Sequence, residues 1–282
     1  MGKKCLVIIV TYNSNKHINW VVEGLDSSEN NLTIKIIDSG SSNTSYLYAV
    51  KTKHQIYIEE CENIGFVAAN NKALDNISDF DWVLFLNPDA RIEGKDFDKL
   101  LTIASLDKFK QTGVFSVPLI RFDIENNKSL GVYDSLGIAC NPFGRWFDLG
   151  ANEVVLTKEE LDKKDCFEAV EAVCGAFMLV RRTMLEQCPD SSGDIGFERN
   201  YYMYKEDIEL SLRAKKKKWD VMIINNINAF HCRGWNNSRS KTPYWARYHS
   251  AINDLDVAWR YKFRALPYAL AKYVWVKFIE KK

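Results

Sequence analysis

The chain has 282 residues, 46% hydrophobic and 27% charged, with a formal net charge of +1. That length can bury a substantial core, the composition is that of a soluble globular protein, and the near-zero charge argues against a general nucleic-acid binder. Seven cysteines, at 5, 61, 140, 166, 174, 188 and 232, form no C-x-x-C pair, a pattern of free thiols in a reducing compartment and not of a disulfide framework or zinc site.

The apolar run Cys5–Val10 reads as a strand buried on both faces of a parallel sheet. It is too short for a signal-peptide core, and no segment offers the roughly 20 apolar residues of a membrane span, so a cytoplasmic location is expected. The run ends in Thr11-Tyr12-Asn13-Ser14, and a helix should follow over 15–25. A second strand, Thr33–Ile37, ends at Asp38 and a Ser39–Asn43 loop. Residues 45–51 read as helical and 56–59 as extended, and Asn63-Ile64-Gly65 is a turn into a helix over 66–74. Trp82–Leu86 is another apolar strand, stopped by Pro88, which cannot donate to a ladder and restricts Asn87 as well. Strands alternating with helices predict β-α-β units, a mostly parallel sheet and right-handed crossovers.

A helix near 96–106 and a strand at 114–118 continue this pattern, and then regularity fails. Residues 121–150, rich in Asn, Gly and aromatics, predict loops and a hairpin. Segments 167–173 and 176–180 read as extended around Cys174-Gly175, and 191–194 as a mobile loop. Glu206–Lys217 should be a helix, with acids in its first turn and lysines in its last, as the helix dipole prefers. Short strands at 221–224 and 229–230 lead to His231. From residue 239 onward ten Lys or Arg face three acids, interleaved with Trp and Tyr. That mixture suits a helical surface lying on anionic lipid, or a cap that uses its aromatics as core. The expected organisation is one domain over 1–238 and a helical extension over 239–282.

Four strand ends thus converge on one sheet edge, where open α/β sheets bind ligands. Asp38 is placed to accept a hydrogen bond from a base N–H or a ribose hydroxyl. The first β-α turn lacks G-x-G-x-x-G and no P-loop occurs, which disfavours a nicotinamide dehydrogenase. Phosphates not held by a glycine loop need a cation; Asp89 is the natural anchor, and His231 is either an imidazole ligand or a structural histidine. Glu206-Asp207 follow Tyr201, Tyr202 and Tyr204. They are either ordinary acids at a helix start, or a carboxylate of raised proton affinity able to act as general base.

Six segments occur in a fixed order: Val7–Asn13, Ile37–Ser42, Asn63–Asn71, Leu86–Ala90, Gly175–Met178 and Tyr204–Leu210. Together they resemble a family 2 inverting glycosyltransferase of GT-A fold, most like the bacterial rhamnosyltransferase branch, over about residues 4 to 235. The resemblance implies an α/β architecture with a Rossmann-like central sheet. It implies nucleotide-sugar binding by Thr11, Tyr12, Asn13, Asp38, Asn63, Gly65, Asn70 and Asn87, and Mg²⁺ or Mn²⁺ at Asp89 with His231. Asp207 is then the base, with Glu206 its neighbour. Asn87 stands where the family's metal motif usually has its first acid, and Asn43 where the second-strand motif usually ends in one. The implied donor is dTDP-rhamnose, with a UDP-hexose or UDP-N-acetylhexosamine as alternative. The implied acceptor is a saccharide or lipid-linked saccharide of a cell-surface polysaccharide. A non-catalytic nucleotide-sugar-binding scaffold is the competing class.

Overall fold

A computed structural model of the chain describes residues 3–233 and 242–280. The first half is built as β1 (Lys4–Thr11), α1 (Ile18–Leu25), β2 (Asn31–Ser39), β3 (Gln55–Cys61), α2 (Phe66–Lys72), β4 (Trp82–Leu86), β5 (Ala90–Arg91), α3 (Gly94–Ala104) and β6 (Thr112–Ser116). Then come β7 (Leu119–Asp123), β8 (Lys128–Ser135), β9 (Ile138–Cys140), β10 (Trp146–Asp148), α4 (Lys158–Leu161), β11 (Phe167–Ala169), β12 (Phe177–Arg181) and α5 (Arg182–Gln187). The chain closes with α6 (Glu206–Lys216), β13 (Asp220–Ile224), β14 (Ala229–His231), α7 (Tyr244–Tyr261) and α8 (Leu266–Val274).

The main sheet has eight strands in the order β11-β13-β6-β12-β4-β1-β2-β3. Strands β4, β1, β2 and β3 are parallel neighbours, whereas β12 runs antiparallel to both β4 and β6. The continuous apolar runs are explained by burial on two sides. Leu6, Ile8, Val10, Val83 and Phe85 feed one core, with α2, α5, α6 and α7. Cys5, Val7, Ile9, Trp82 and Leu84 feed the other, with α1 and α3. Each such side chain contributes about 1.5–3 kcal/mol by leaving water. All seven cysteines are unpaired.

A second, four-stranded sheet has the order β5-β14-β7-β8, and its register matters for the site. His231 pairs with Ala90 on one side and with Arg121 on the other. Strand β8 lies antiparallel to β7 with Ile120 opposite Tyr133, which carries Asp134 alongside.

Several expectations are corrected. Residues 45–51 give only a short 3₁₀ turn at Leu47–Ala49. Residues 121–150 hold two hairpins, β7–β8 and β9–β10; the first is broken by bulges that a sequence pattern does not show, and the second is only three residues deep. The expected strand 167–173 stops at Ala169, since the chain then leaves β13 and meets β9 through an Ala172–Ile138 bridge. The 191–194 loop is tied down: Asp190 accepts from the Ser192 and Asp194 N–H groups and from Arg199.

The extension is helical as expected, and the proposed boundary at 238/239 lies outside the described residues. Helix α7 buries small and polar residues, Ala246, Ala251, Asn253, Asp254, Val257 and Ala258. Its aromatics and those beyond it are not core: Trp259 is 68% exposed and Phe278 69%. Among the described residues no helix is long and apolar enough to cross a membrane.

Candidate active site

Parallel register sets the first wall. Thr11 and Asp38 are Cα partners at the ends of β1 and β2, and Thr11 Oγ1 donates to Asp38 Oδ2 at 2.8 Å. Asp38 is 1% exposed and also accepts from Ser41 N (2.8 Å) and Ser41 Oγ (2.6 Å). Its carboxylate therefore organises the following loop, and Ser41 Oγ in turn receives the Asn13 N–H at 2.6 Å. Asn13 Oδ1 accepts from Ser42 N and Oγ, both at 3.0 Å, while Tyr12 stands exposed at the mouth.

After β3, Asn63 Oδ1 accepts from the Tyr202 hydroxyl at 2.6 Å. Gly65 has φ +85, and a Cβ there would lie 2.5 Å from the Tyr202 ring. Glycine is required on both counts. Asn70 is buried, and its amide donates to Phe66 O within its own helix. Its neighbour Asn71, which the sequence did not single out, holds Phe197 by both N–H and C=O.

The second sheet gathers the candidate metal ligands. His231 Nε2 lies 3.4 Å from Asp89 Oδ1, and its Nδ1 lies 2.8 Å from Asp134 Oδ2. Burial opposes charge on this imidazole, but the two carboxylates prevail and raise it to about 9. Burial likewise pushes Asp89 up, and the hydrogen bond and charge of His231 outweigh it and hold the acid below its ordinary value. Asp134 also meets Arg233 (2.7 Å) and Arg121 (3.2 Å), and despite burial it falls to about 2. Two residues before Asp89, Asn87 Oδ1 is a buried acceptor with no hydrogen-bond partner. An unpartnered amide oxygen at Asn87 and the Asp89 carboxylate two residues on are oxygen donors of the kind a hard divalent ion takes, and His231 lies against Asp89. Among the described residues no cluster of three or more His, Cys, Asp or Glu side chains is gathered for a metal, so the remaining donors would come from ligand and water.

The base candidate faces this wall across two backbone contacts. Asn87 N donates to Ala176 O at 3.0 Å, and the adjacent Gly175 N donates to Asp207 Oδ2 at 2.9 Å. Asp207 Oδ1 lies 2.8 Å from the Ile208 N–H. Burial raises the Asp207 carboxyl above its ordinary value, and these N–H groups and Lys205 offset only part of that rise. Glu206 is pushed well above the carboxylate range by burial and then by the charge of Asp207, and its Oε2 is buried without a partner. Of the pair, Glu206 is the one pushed further toward the neutral acid, while Asp207 keeps two N–H groups on its carboxylate oxygens. Both residues follow Tyr204 and Lys205, each at φ +71, a backbone that costs about 1–3 kcal/mol per non-glycine residue.

A cleft of about 220 Å³ opens onto Asp207 between Trp146, Phe147, Asp148, Tyr204 and Lys205. Asp148 pairs with Arg233 at 3.3 Å, so the His231–Asp89 cluster and the cleft at Asp207 share one chain of charges. Asp134, Asp148 and Arg233 were missed in the sequence. They lie in or beyond the irregular stretch, and only the hairpin registers reveal them.

The family model described as glycosyl transferase family 2 matches residues 6–188. The N-acetylglucosaminyl-diphospho-decaprenol L-rhamnosyltransferase of Mycobacterium tuberculosis (strain ATCC 25618 / H37Rv) is 23% identical over 265 residues, covering 87% of this chain and 81% of that protein. The rhamnosyltransferase WbbL of Escherichia coli (strain K12) is 28% identical over 234 residues, covering 80% and 82%. Among solved structures, GalNAc-T7 with UDP, GalNAc and Mn²⁺ superposes with a TM-score of 0.66 at 13% identity, covering 95% of this chain. This chain spans about half of that protein, 51%. The mannosyltransferase PcManGT from Pyrobaculum calidifontis, in complex with GDP-Man and Mn²⁺, gives 0.59 at 16% identity, covering 99% and 71%. At these identities the structures share the fold, the GT-A arrangement expected from the motifs, and on the family match the chain belongs to glycosyl transferase family 2.

Proposed function

We propose that the chain moves L-rhamnose from dTDP-rhamnose to a hydroxyl of a saccharide or lipid-linked saccharide, in a single displacement that inverts the anomeric carbon. The observation that carries the reading is the Asp207 carboxylate, fixed by the Gly175 N–H and open to the cleft. Asp207 takes the proton of the acceptor hydroxyl as the acceptor oxygen bonds to the anomeric carbon. The bond from that carbon to the diphosphate oxygen breaks on the opposite face, and the electron pair leaves with the nucleotide. Thr11, Tyr12, Asn13, Asp38 and the Asn63–Gly65 loop form the nucleotide wall. Asp89 and His231 would hold Mg²⁺ or Mn²⁺, with Nδ1 of the histidine fixed by Asp134; such an ion supplies charge neutralisation at the departing diphosphate, worth several kcal/mol. The donor is supported by two relatives described as rhamnosyltransferases.

Asp207→Asn is expected to lower transfer by about 10²–10⁴-fold while leaving nucleotide affinity unchanged. Undiminished turnover refutes the base. A thermal-shift panel of dTDP, UDP and NAD with Mn²⁺ reads the donor class in the same preparation, and stabilisation by UDP alone replaces rhamnose with a UDP-sugar.

Contact with the inner face of a membrane belongs to the same proposal. Exposed Trp259, Phe263, Leu270, Trp275 and Phe278 lie beside the exposed Arg264 and beside Lys277, the mixture of an interfacial helix. Sedimentation with anionic phosphatidylglycerol vesicles should carry the protein down, and Trp275→Ser with Phe278→Ser should release it. Equal sedimentation of both removes the membrane from the reading.

A further inference from the structure

The turn that presents the two acids is held from outside its own segment. Two successive side-chain-bearing residues, Tyr204 and Lys205, stand in the left-handed region, a conformation that persists only where surroundings enforce it. The enforcing group is on α7. Asn253 is 3% exposed, and its Nδ2 donates to both Met203 O (3.0 Å) and Tyr204 O (2.7 Å). The next residue, Asp254, faces Lys205 Nζ at 3.7 Å and receives Lys272 from α8. Three further bonds lash the same stretch to α7: Tyr201 to Asp256 at 2.6 Å, and Arg260 to Glu198 at 2.5 Å and to Glu209 at 2.6 Å.

We infer that Asn253 is a positioning residue for the transfer reaction. One amide group clamps two carbonyls, the first just ahead of the left-handed pair and the second within it, so that α6 starts at Glu206 and the Asp207 carboxylate meets the Gly175 N–H. Without the clamp, the turn relaxes toward negative φ, the first turn of α6 rotates, and the carboxylate leaves the cleft. The C-terminal helices then complete the active site and do more than cover the domain. The inference rests on Asp207 being the base.

The test uses the full chain. Asn253→Asp keeps the shape, removes both donors and sets a carboxylate against two carbonyl oxygens. It is expected to lower kcat by about 10²-fold, the cost of a misplacement near 1 Å. The dissociation constant of the nucleoside diphosphate that stabilises the parent (dTDP or UDP, with Mn²⁺) should stay within about twofold, since a kcat effect at unchanged affinity marks an interaction felt in the transition state. Asn253→Gln, which keeps both donors, should recover most of the rate. A kcat for Asn253→Asp within about threefold of the parent overturns the inference, as does a loss of nucleotide affinity as large as the loss of kcat. The base assignment fails separately: full transfer by Asp207→Asn removes it, whereas an inactive Asp207→Asn beside an unimpaired Asn253→Asp removes only the clamp.

Discussion

On the proposed nucleotide side, Thr11, Asp38 and Asn87 are placed by the ends of neighbouring parallel strands, whose apolar side chains are buried on both faces. On the opposite side, Asp148 is paired with Arg233, and the segment that carries Glu206 and Asp207 is tied to α7 by charge pairs between parts far apart in the chain. Glu198 and Glu209 are both fully buried, and each needs a cation: Arg260 reaches both, and Arg213 shares Glu209 at 2.9 Å. A wall held by strand packing loses little when one polar group is removed. A wall held by buried ions loses much, because the partner charge is stranded in a medium that solvates it poorly.

The comparison breaks most sharply at Arg260. Arg260→Ala leaves two buried carboxylates short of a cation and is expected to cost about 3–5 kcal/mol; equilibrium denaturation reads it. The matching change across the cleft, Thr11→Val, removes one of three hydrogen bonds to Asp38 and should cost only about 1–2 kcal/mol. Equal losses at the two positions would dissolve the distinction.

A smaller and pH-dependent effect sharpens it at Glu206. Its folded proton affinity is raised above the ordinary value of 4.5 by burial and by Asp207. Above pH ~4.5 the folded state therefore keeps a proton that the unfolded state has released. Stability contributed by this group falls as pH rises from there toward the folded pKa. Glu206→Gln removes that dependence, so the variant should gain in melting temperature over the parent at pH 8 and lose the advantage near pH 5. A pH-independent difference would show that Glu206 is not held neutral.

The same division explains what could be read from the sequence. Continuous runs such as Cys5–Val10 and Trp82–Leu86 announce themselves because burial on both faces leaves no polar position. The residues at their ends follow at once. Asp134 and Asp148 gave no such signal: Asp134 sits near the end of β8, whose register with β7 is shifted by bulges, and Asp148 ends the three-residue strand β10. Asn253 was invisible for another reason. Its significance lies in two carbonyls some fifty residues earlier, and nothing in the local pattern of α7 distinguishes it from an ordinary helical asparagine. Asn70 shows the opposite relation, a motif position whose amide is engaged within its own helix.

Gly65 has one more consequence. The Tyr202 ring rests on it, the Tyr202 hydroxyl holds Asn63, and the Val67 N–H donates to Tyr202 O at 3.2 Å. Tyr202 stands four residues ahead of Glu206. The 63–65 turn is thus tied through one aromatic ring to the stretch of chain that leads into Glu206 and Asp207, and any side chain at position 65 would push the two segments apart.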